Sequence, residues 1–141
     1  GDDIKISKRV LSTKTAKAML AILETVTNDD GTAPKAKVYG YRVAGKTGTT
    51  KKLDEINGGY SKDKYIGTFV GLGPVSNPRF VMAIMIDEPL VKKGYSGGTL
   101  AGPVFSRVMS KAFEWYSIDA DGLELEEKQN KKEVYADKTK L

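Results

Sequence analysis

The chain has 141 residues, of which 40% are hydrophobic and 29% are charged, as is ordinary for one globular domain with a real core. It contains no cysteine and no histidine, which excludes disulfides and thiol chemistry and removes the commonest general base and metal ligand. The net charge of +5 comes from lysines that are spread along the chain without interleaved aromatic residues, so no nucleic-acid partner is expected. The start Gly-Asp-Asp is not a signal peptide, and no apolar run reaches the length of a membrane span; an anchor would have to lie upstream.

The first element that the pattern predicts is a helix. Ser12 is a suitable N-cap, and apolar residues follow it at helical spacing, namely Ala16, Met19, Leu20, Leu23 and Val26. Turn-forming residues at 28–31 should end this helix, and a loop around Pro34 should follow at 32–40.

Three strand-like segments come next, at 41–50, 65–72 and 79–87. Turn-rich links separate them, which favours an antiparallel meander. Both alternating sets of the third segment are apolar, which predicts that it is covered on both faces.

A second helix is expected from residue 99 or 102 to residue 116. It should pack on the sheet through an apolar stripe made of Val104, Phe105, Val108, Met109, Ala112, Phe113 and Trp115. From residue 119 the chain is charged and poor in large apolar residues, so 119–141 is expected to be a flexible or surface-lying tail. Residues 1–118 therefore read as an α+β fold, an incomplete antiparallel sheet flanked by helices.

The most informative stretch is Lys46-Thr47-Gly48-Thr49, on the first predicted strand. Alternation along a strand places Thr47 and Thr49 on one face and Lys46 and Gly48 on the other. The two hydroxyls form a donor pair suited to a carboxylate, while Lys46 supplies positive potential and can hold neighbouring hydroxyls in place. Gly48 leaves room for a substrate backbone that adds to the sheet as a strand, and the Thr49 N–H is a candidate for half of an oxyanion hole. By itself the tripeptide is also common in exposed turns.

Lys-Thr-Gly is one of three signatures of penicillin-binding proteins and serine β-lactamases, and its surroundings here resemble that family. The run from Gly31 to Lys52 is similar to the third-motif region of class B penicillin-binding proteins, specifically the division-specific peptidoglycan transpeptidases of the penicillin-binding protein 3 type. Segments 65–74, 77–80, 86–89 and 94–105 resemble the next two strands and the loop into the last helix, in the same order. The resemblance covers residues 10–118 and implies the C-terminal part of the transpeptidase domain.

The resemblance implies a serine-type D,D-transpeptidase that crosslinks peptidoglycan stem peptides at the division septum and is acylated by β-lactams. It implies a place at the periplasmic face of the bacterial inner membrane, anchored through an upstream segment. The implied partners are stem peptides, β-lactams, the upstream part of the same transpeptidase and membrane proteins of the division complex. No cofactor or metal is expected, because histidine and cysteine are absent and Asp87-Glu88 is too sparse for a cation cage.

The resemblance also assigns roles to site residues. Lys46 would belong to the hydrogen-bonding network of the site, and Thr47 and Thr49, with Gly48 between them, would bind the carboxylate of substrate or drug. Tyr95 would help to wall the donor site, although an ordinary packing role for it stays open. Many members of the family have a second aromatic residue where this chain has Ser96.

The nucleophile is not expected in this chain. Ser61 and Lys64 satisfy Ser-x-x-Lys, but glycines precede them and a strand follows, whereas a productive serine opens a helix that places the lysine one turn away. The family has its nucleophile well before the Lys-Thr-Gly strand, and no Ser-x-Asn occurs here. The leading hypothesis is therefore a part of an enzyme that is poorly stable and inactive alone. The alternative is a non-catalytic peptide- or partner-binding module of the same fold.

Overall fold

The computed structural model describes residues 9–54, 56–90 and 96–123. The described helices, 3₁₀ turns and strands occur in the order α1 (Thr13–Glu24), a 3₁₀ turn (Thr25–Thr27), a second 3₁₀ turn (Pro34–Ala36), β1 (Ala44–Leu53), β2 (Tyr60–Gly73), β3 (Phe80–Asp87) and α2 (Gly97–Trp115). The three strands form one antiparallel sheet in the order β1-β2-β3, which confirms the predicted meander.

The core lies between α2 and one face of the sheet. Phe69 of β2 stands in the middle of that face, paired with Thr47 on one side and Ile84 on the other. Its ring meets the edge of Phe105 from α2 at a centroid distance of 4.9 Å, and both side chains are fully buried. The segment before β1 closes the core from the side, and the remaining members of the buried cluster are Ala33, Ala36, Val38, Val43, Ala101, Met109 and Phe113.

The start of α1 is as predicted. The Ser12 hydroxyl accepts a hydrogen bond from the Thr15 N–H at 3.0 Å, which satisfies one of the free donors at the first turn. The α-helix ends at Glu24, before the predicted stop, because the last turn tightens into a 3₁₀ turn. There the buried Thr27 hydroxyl donates to the carbonyl oxygen of Val43 at 3.1 Å and so ties the turn to the entry of β1.

Two packing predictions are wrong in part. Within residues 9–54, 56–90 and 96–123, β3 is covered on one face only, since Val81 and Met85 remain 72% and 69% exposed. On α2, Val108 and Trp115 are also exposed, 48% and 81%, although they were assigned to the packing stripe. The helix instead contacts the sheet through residues spaced four apart, Ala101, Phe105, Met109 and Phe113, because this single row faces the strands.

Residues 121 and 122, which were expected in a flexible or surface-lying tail, are hydrogen-bonded to the rest of the fold. The carboxylate of Asp121 accepts hydrogen bonds from the backbone N–H groups of Arg42 at 2.7 Å and Ser76 at 3.0 Å, and Gly122 N–H donates to the carbonyl oxygen of Gly40 at 3.0 Å. Acidic and glycine residues that looked like the start of a solvated tail thus fasten the chain after α2 to the two loops beside it. Residues 124–141 lie outside the described residues.

Candidate functional site

The Lys-Thr-Gly residues lie in the first half of β1, which is an edge strand of the described sheet. Thr47 is paired with the buried Phe69 and therefore lies on the face that α2 covers. Lys46 is paired with Val70, which is exposed on the opposite face. The two faces therefore carry the residues that alternation predicts, and the edge offers backbone groups to an added strand.

The N-terminus of α2 lies directly against Thr49. The N–H of Gly97, the first residue of the helix, donates to the Thr49 hydroxyl oxygen at 3.3 Å. A side chain at Gly97 would collide with the carbonyl oxygen of Thr68 and lie 2.7 Å from that of Gly48. Only glycine lets the helix begin this close to the backbones of β1 and β2, where its positive dipole end adjoins the motif.

The predicted helix start at residue 99 or 102 is thus two or more residues too late. The reason is Ser96, whose hydroxyl accepts from the Thr99 N–H at 3.2 Å and caps the helix ahead of its two glycines. Glycine pairs lower helix propensity in a local reading of the sequence, but here the packing against β1 and β2 prevails. Tyr95, the predicted wall of the donor site, lies outside the described residues.

A third hydroxyl, which sequence reasoning missed, adjoins Thr47. Thr32 lies in the loop between the two 3₁₀ turns, and its hydroxyl oxygen is 3.3 Å from that of Thr47. The carbonyl group of Thr32 packs against α2 so closely that a side chain at Gly98 would collide with its oxygen. Thr32, Thr47 and Thr49 therefore surround the first turn of α2, and no local spacing rule could have joined residues 15 positions apart.

Gly48 packs closely against a side chain of the neighbouring strand. A side chain at this position would collide with the hydroxyl oxygen of Thr68, its partner on β2. That Gly48 leaves room for a substrate backbone stays a prediction.

Lys46 extends from the open face of the sheet. Its ammonium donates to the backbone oxygen of Thr47 at 2.9 Å, and among the described residues this is its one hydrogen bond. An ammonium has three donors, so two remain for groups that approach this face. The hydroxyl network predicted for Lys46 is not formed within the described part of the chain.

Ser61 has the environment of a structural residue. It lies within β2, is 7% exposed, and donates from its hydroxyl to the carboxylate of Asp63 at 3.0 Å. The ammonium of Lys64 lies 3.7 Å from Glu88 and forms an ion pair with it instead of contacting the serine. Within the described residues, the ammonium of Lys64 therefore does not take the place next to the serine hydroxyl that an activating lysine has in a Ser-x-x-Lys site.

The charged pairs near β1 stabilise its two ends. At the far end, the hydrogen bond from Lys52 lowers the pKa of Glu88 below its ordinary value. At the near end, Arg42 donates two hydrogen bonds to Glu24, at 2.6 and 2.7 Å, and this contact raises the pKa of Arg42. Within residues 9–54, 56–90 and 96–123, no cluster of three acidic residues could hold a metal ion, and no helix is long and apolar enough to cross a membrane.

Comparisons with a family model, with curated proteins and with solved structures all match this chain to penicillin-binding proteins or peptidoglycan D,D-transpeptidases. A family model described as the penicillin binding protein transpeptidase domain matches residues 2–110. The chain is 47% identical over 103 residues to a probable peptidoglycan D,D-transpeptidase PenA of Neisseria flavescens, which covers 73% of this chain and 25% of that protein. It is 44% identical over 115 residues to the peptidoglycan D,D-transpeptidase FtsI of Buchnera aphidicola subsp. Baizongia pistaciae, covering 82% and 19%.

Solved structures of similar proteins have the same fold. The apo TP domain of penicillin-binding protein 3 from Burkholderia pseudomallei matches with a TM-score of 0.71 and 40% identity, over 81% of this chain and 34% of that one. Penicillin-binding protein 3 of Mycobacterium tuberculosis, complexed with ampicillin, matches with a TM-score of 0.70 and 34% identity, over 80% and 26%. The chain spans a fifth to a quarter of the length of the two curated relatives.

Proposed function

The chain belongs to the transpeptidase domain family of penicillin-binding proteins, and from this premise we propose that it is the C-terminal part of a serine-type peptidoglycan D,D-transpeptidase. The whole enzyme crosslinks stem peptides in septal cell-wall synthesis and is acylated by β-lactams. This part supplies the substrate-binding strand, and the nucleophilic serine lies upstream. The observation that carries the proposal is the pair of threonine hydroxyls, Thr47 and Thr49, on an edge strand at the N-terminus of α2.

The two hydroxyls suit a carboxylate. They are two residues apart on one face of β1, which separates their Cα atoms by about 6.6 Å, close enough for both to converge on one anion. The first turn of α2 adds positive potential behind them. The anion is the terminal carboxylate of a stem peptide or the carboxylate of a β-lactam. The rest of the ligand lies along the edge of β1 as an added strand, with its reacting carbonyl oxygen near the N–H of Thr49.

Lys46 acts on the other face. Its ammonium has two further donors, and its side chain lies on the open face of the sheet, where Val81 and Met85 are also exposed. We infer that the upstream part of the same transpeptidase covers this face and brings its hydroxyl groups, the nucleophile among them, to the ammonium. The serine oxygen attacks the carbonyl carbon of the stem peptide, the terminal D-residue leaves, and an amine of a second stem peptide then takes the acyl group.

The cellular setting follows from the same proposal. The enzyme lies at the periplasmic face of the inner membrane, held by an upstream anchor, and works with membrane proteins of the division complex. Tyr95 forms part of the wall of the donor site. The chain alone is inactive and poorly stable, because the nucleophile is elsewhere and the apolar face around Val81 and Met85 is uncovered.

The test replaces the two hydroxyls in the whole transpeptidase that contains this chain. The double variant Thr47→Val, Thr49→Val keeps the shape of both side chains. We expect it to slow acylation by a fluorescent penicillin about 100-fold, which is the effect of removing a hydrogen-bond donor from the oxyanion hole of other acyl-transfer enzymes. Thr13→Val is the matched control, because Thr13 is an exposed threonine in the first turn of α1, outside the sheet.

Labelling of the double variant at the wild-type rate would reject the assignment of these threonines. A folded wild-type protein that takes up no penicillin at all would favour a non-catalytic binding module of the same fold.

A further inference from the structure

Each of the two motif threonines, Thr47 and Thr49, contacts a hydrogen-bonding group from another part of the fold. The oxygen of Thr49 lies 3.3 Å from the backbone N–H of Gly97, and the oxygen of Thr47 lies 3.3 Å from the hydroxyl of Thr32. The two contacts come from different elements, the start of α2 and the loop before the second 3₁₀ turn, and both reach threonines on the same face of β1.

A hydrogen-bond donor that occupies the oxygen of a hydroxyl group leaves the hydrogen of that hydroxyl free to bond to a ligand. A backbone N–H can only donate, so the Thr49 oxygen accepts from Gly97 and its own hydrogen is free to donate to a ligand. The hydroxyls of Thr32 and Thr47 can bond in either direction. An ionised carboxylate accepts only, so when one is bound Thr47 must donate to it. Thr32 must then donate to Thr47.

We propose that Thr32 is a positioning residue of the carboxylate site, which acts through Thr47; this rests on the proposed function. Its hydroxyl orients the hydrogen of Thr47 towards the ligand and polarises it, since hydrogen bonds in a chain strengthen one another. The N–H of Gly97 does the same for Thr49. Together the two donors make the threonine pair a better donor to an anion than to a neutral carbonyl, because hydrogen bonds to a charged acceptor are about twice as strong.

The backbone around Thr32 is fixed well enough for this role. The preceding residue, Gly31, donates to the carbonyl oxygen of Asn28 at 2.9 Å, and the following residue, Ala33, is fully buried and donates to that of Val26 at 2.8 Å. The carbonyl of Thr32 itself packs on Gly98 of α2. The side chain is exposed, so its hydroxyl can be removed without opening a cavity in the core.

The test compares Thr32→Val with Thr32→Ser in the whole transpeptidase that contains this chain. The probes are a fluorescent penicillin with a free carboxylate and the methyl ester of the same penicillin. We expect Thr32→Val to slow acylation by the free acid about fivefold, the usual effect of one hydrogen bond, and to slow the ester less than twofold. Thr32→Ser should restore the rate with the acid. Thr13→Val is again the control, and no loss is expected there.

A second comparison separates positioning from general damage to the loop. In a Thr47→Val background, Thr32→Val should cause no further loss, because the hydroxyl that it orients is gone. Equal slowing of acid and ester, additive losses in the double variant, or a Thr32→Val enzyme that labels like the wild type would each overturn the inference. In all three of these results the wild type is still labelled, so the proposed function stands. A wild type that resists labelling would instead reject the proposed function and the inference with it.

Discussion

Substitution of Gly97 tests whether the close packing of α2 on β1 positions the hydroxyl of Thr49. In Gly97→Ala the added methyl group would lie 2.7 Å from the Gly48 oxygen and closer still to the Thr68 oxygen. Both obstacles are backbone atoms of the sheet, which cannot rotate away as a side chain can. The first turn of α2 must therefore shift outward, by roughly 1.5 Å if ordinary contact distances are to be restored.

This shift breaks the contact with Thr49. The distance from Gly97 N to the Thr49 oxygen is 3.3 Å, and an outward shift of this size takes it beyond 4 Å, where no hydrogen bond remains. Loss of one hydrogen bond predicts roughly a threefold to tenfold slower acylation. Misplacement of the positioning group by about 1 Å can raise the loss to about 100-fold. We expect a decrease of about 10- to 100-fold, or about 1.4–2.7 kcal/mol.

The assay is the second-order rate of acylation by a fluorescent penicillin, measured on the whole transpeptidase together with its melting temperature. Gly102→Ala is the matched control on the same helix. Its methyl group would lie 3.2 Å from Ala36 N, away from Thr49, and alanine in a helix is favoured over glycine by about 0.5–1 kcal/mol. Acylation in this control should change less than threefold. A Gly97→Ala enzyme that is folded and labels at the wild-type rate would refute the reasoning.

Three further predictions concern stability. Phe105→Ala removes a fully buried ring in edge contact with Phe69, and should lower the free energy of unfolding by about 3–5 kcal/mol in denaturant titrations. Asp121→Asn replaces one of two accepting oxygens by a donor, and should cost about 1 kcal/mol and speed amide exchange in the loops beside α2. Because the Lys52 hydrogen bond lowers the pKa of Glu88 from 4.5, its stabilising effect should be complete above pH 4.5 and be lost as the pH falls through the lowered pKa, as an NMR titration would detect.

Each of these has its own control. Val108→Ala changes an exposed position of α2 and should alter the free energy of unfolding by less than about 0.5 kcal/mol. A Phe105→Ala loss that is equally small would contradict the described core. Asp119→Asn removes a nearby negative charge and should leave amide exchange in these loops unchanged. If it speeds exchange as much as Asp121→Asn does, the loss of charge and not of the two hydrogen bonds is responsible. Lys52→Ala should return the pKa of Glu88 towards 4.5, and an unaltered titration would contradict the assigned cause.

The sequence predicts what depends on local pattern. The Ser12 cap, the three antiparallel strands and the alternation of Lys46 and Thr47 across β1 follow from rules that act over a few residues. The match to the transpeptidase domain model confirms the family that the Lys-Thr-Gly region indicated.

Local sequence patterns do not predict which apolar faces of β3 and α2 are buried. Apolar residues on both sides of β3 and on the flank of α2 predict burial, but the pattern does not say which of these faces the described chain itself covers. Val81 and Trp115 are exposed although their neighbours in sequence are packed. The contacts of Thr32 and Gly97 with the motif join residues 15 and 48 positions apart, and such proximity depends on how the elements pack.

The central claim is that this chain binds the substrate while another part of the same enzyme supplies the nucleophile. The most direct measurement is to label the whole transpeptidase with a penicillin, digest it and identify the modified residue by mass spectrometry. Our account predicts an adduct on a serine outside the 141 residues described by this sequence. An adduct on Ser61, or on any other serine of this chain, would contradict it.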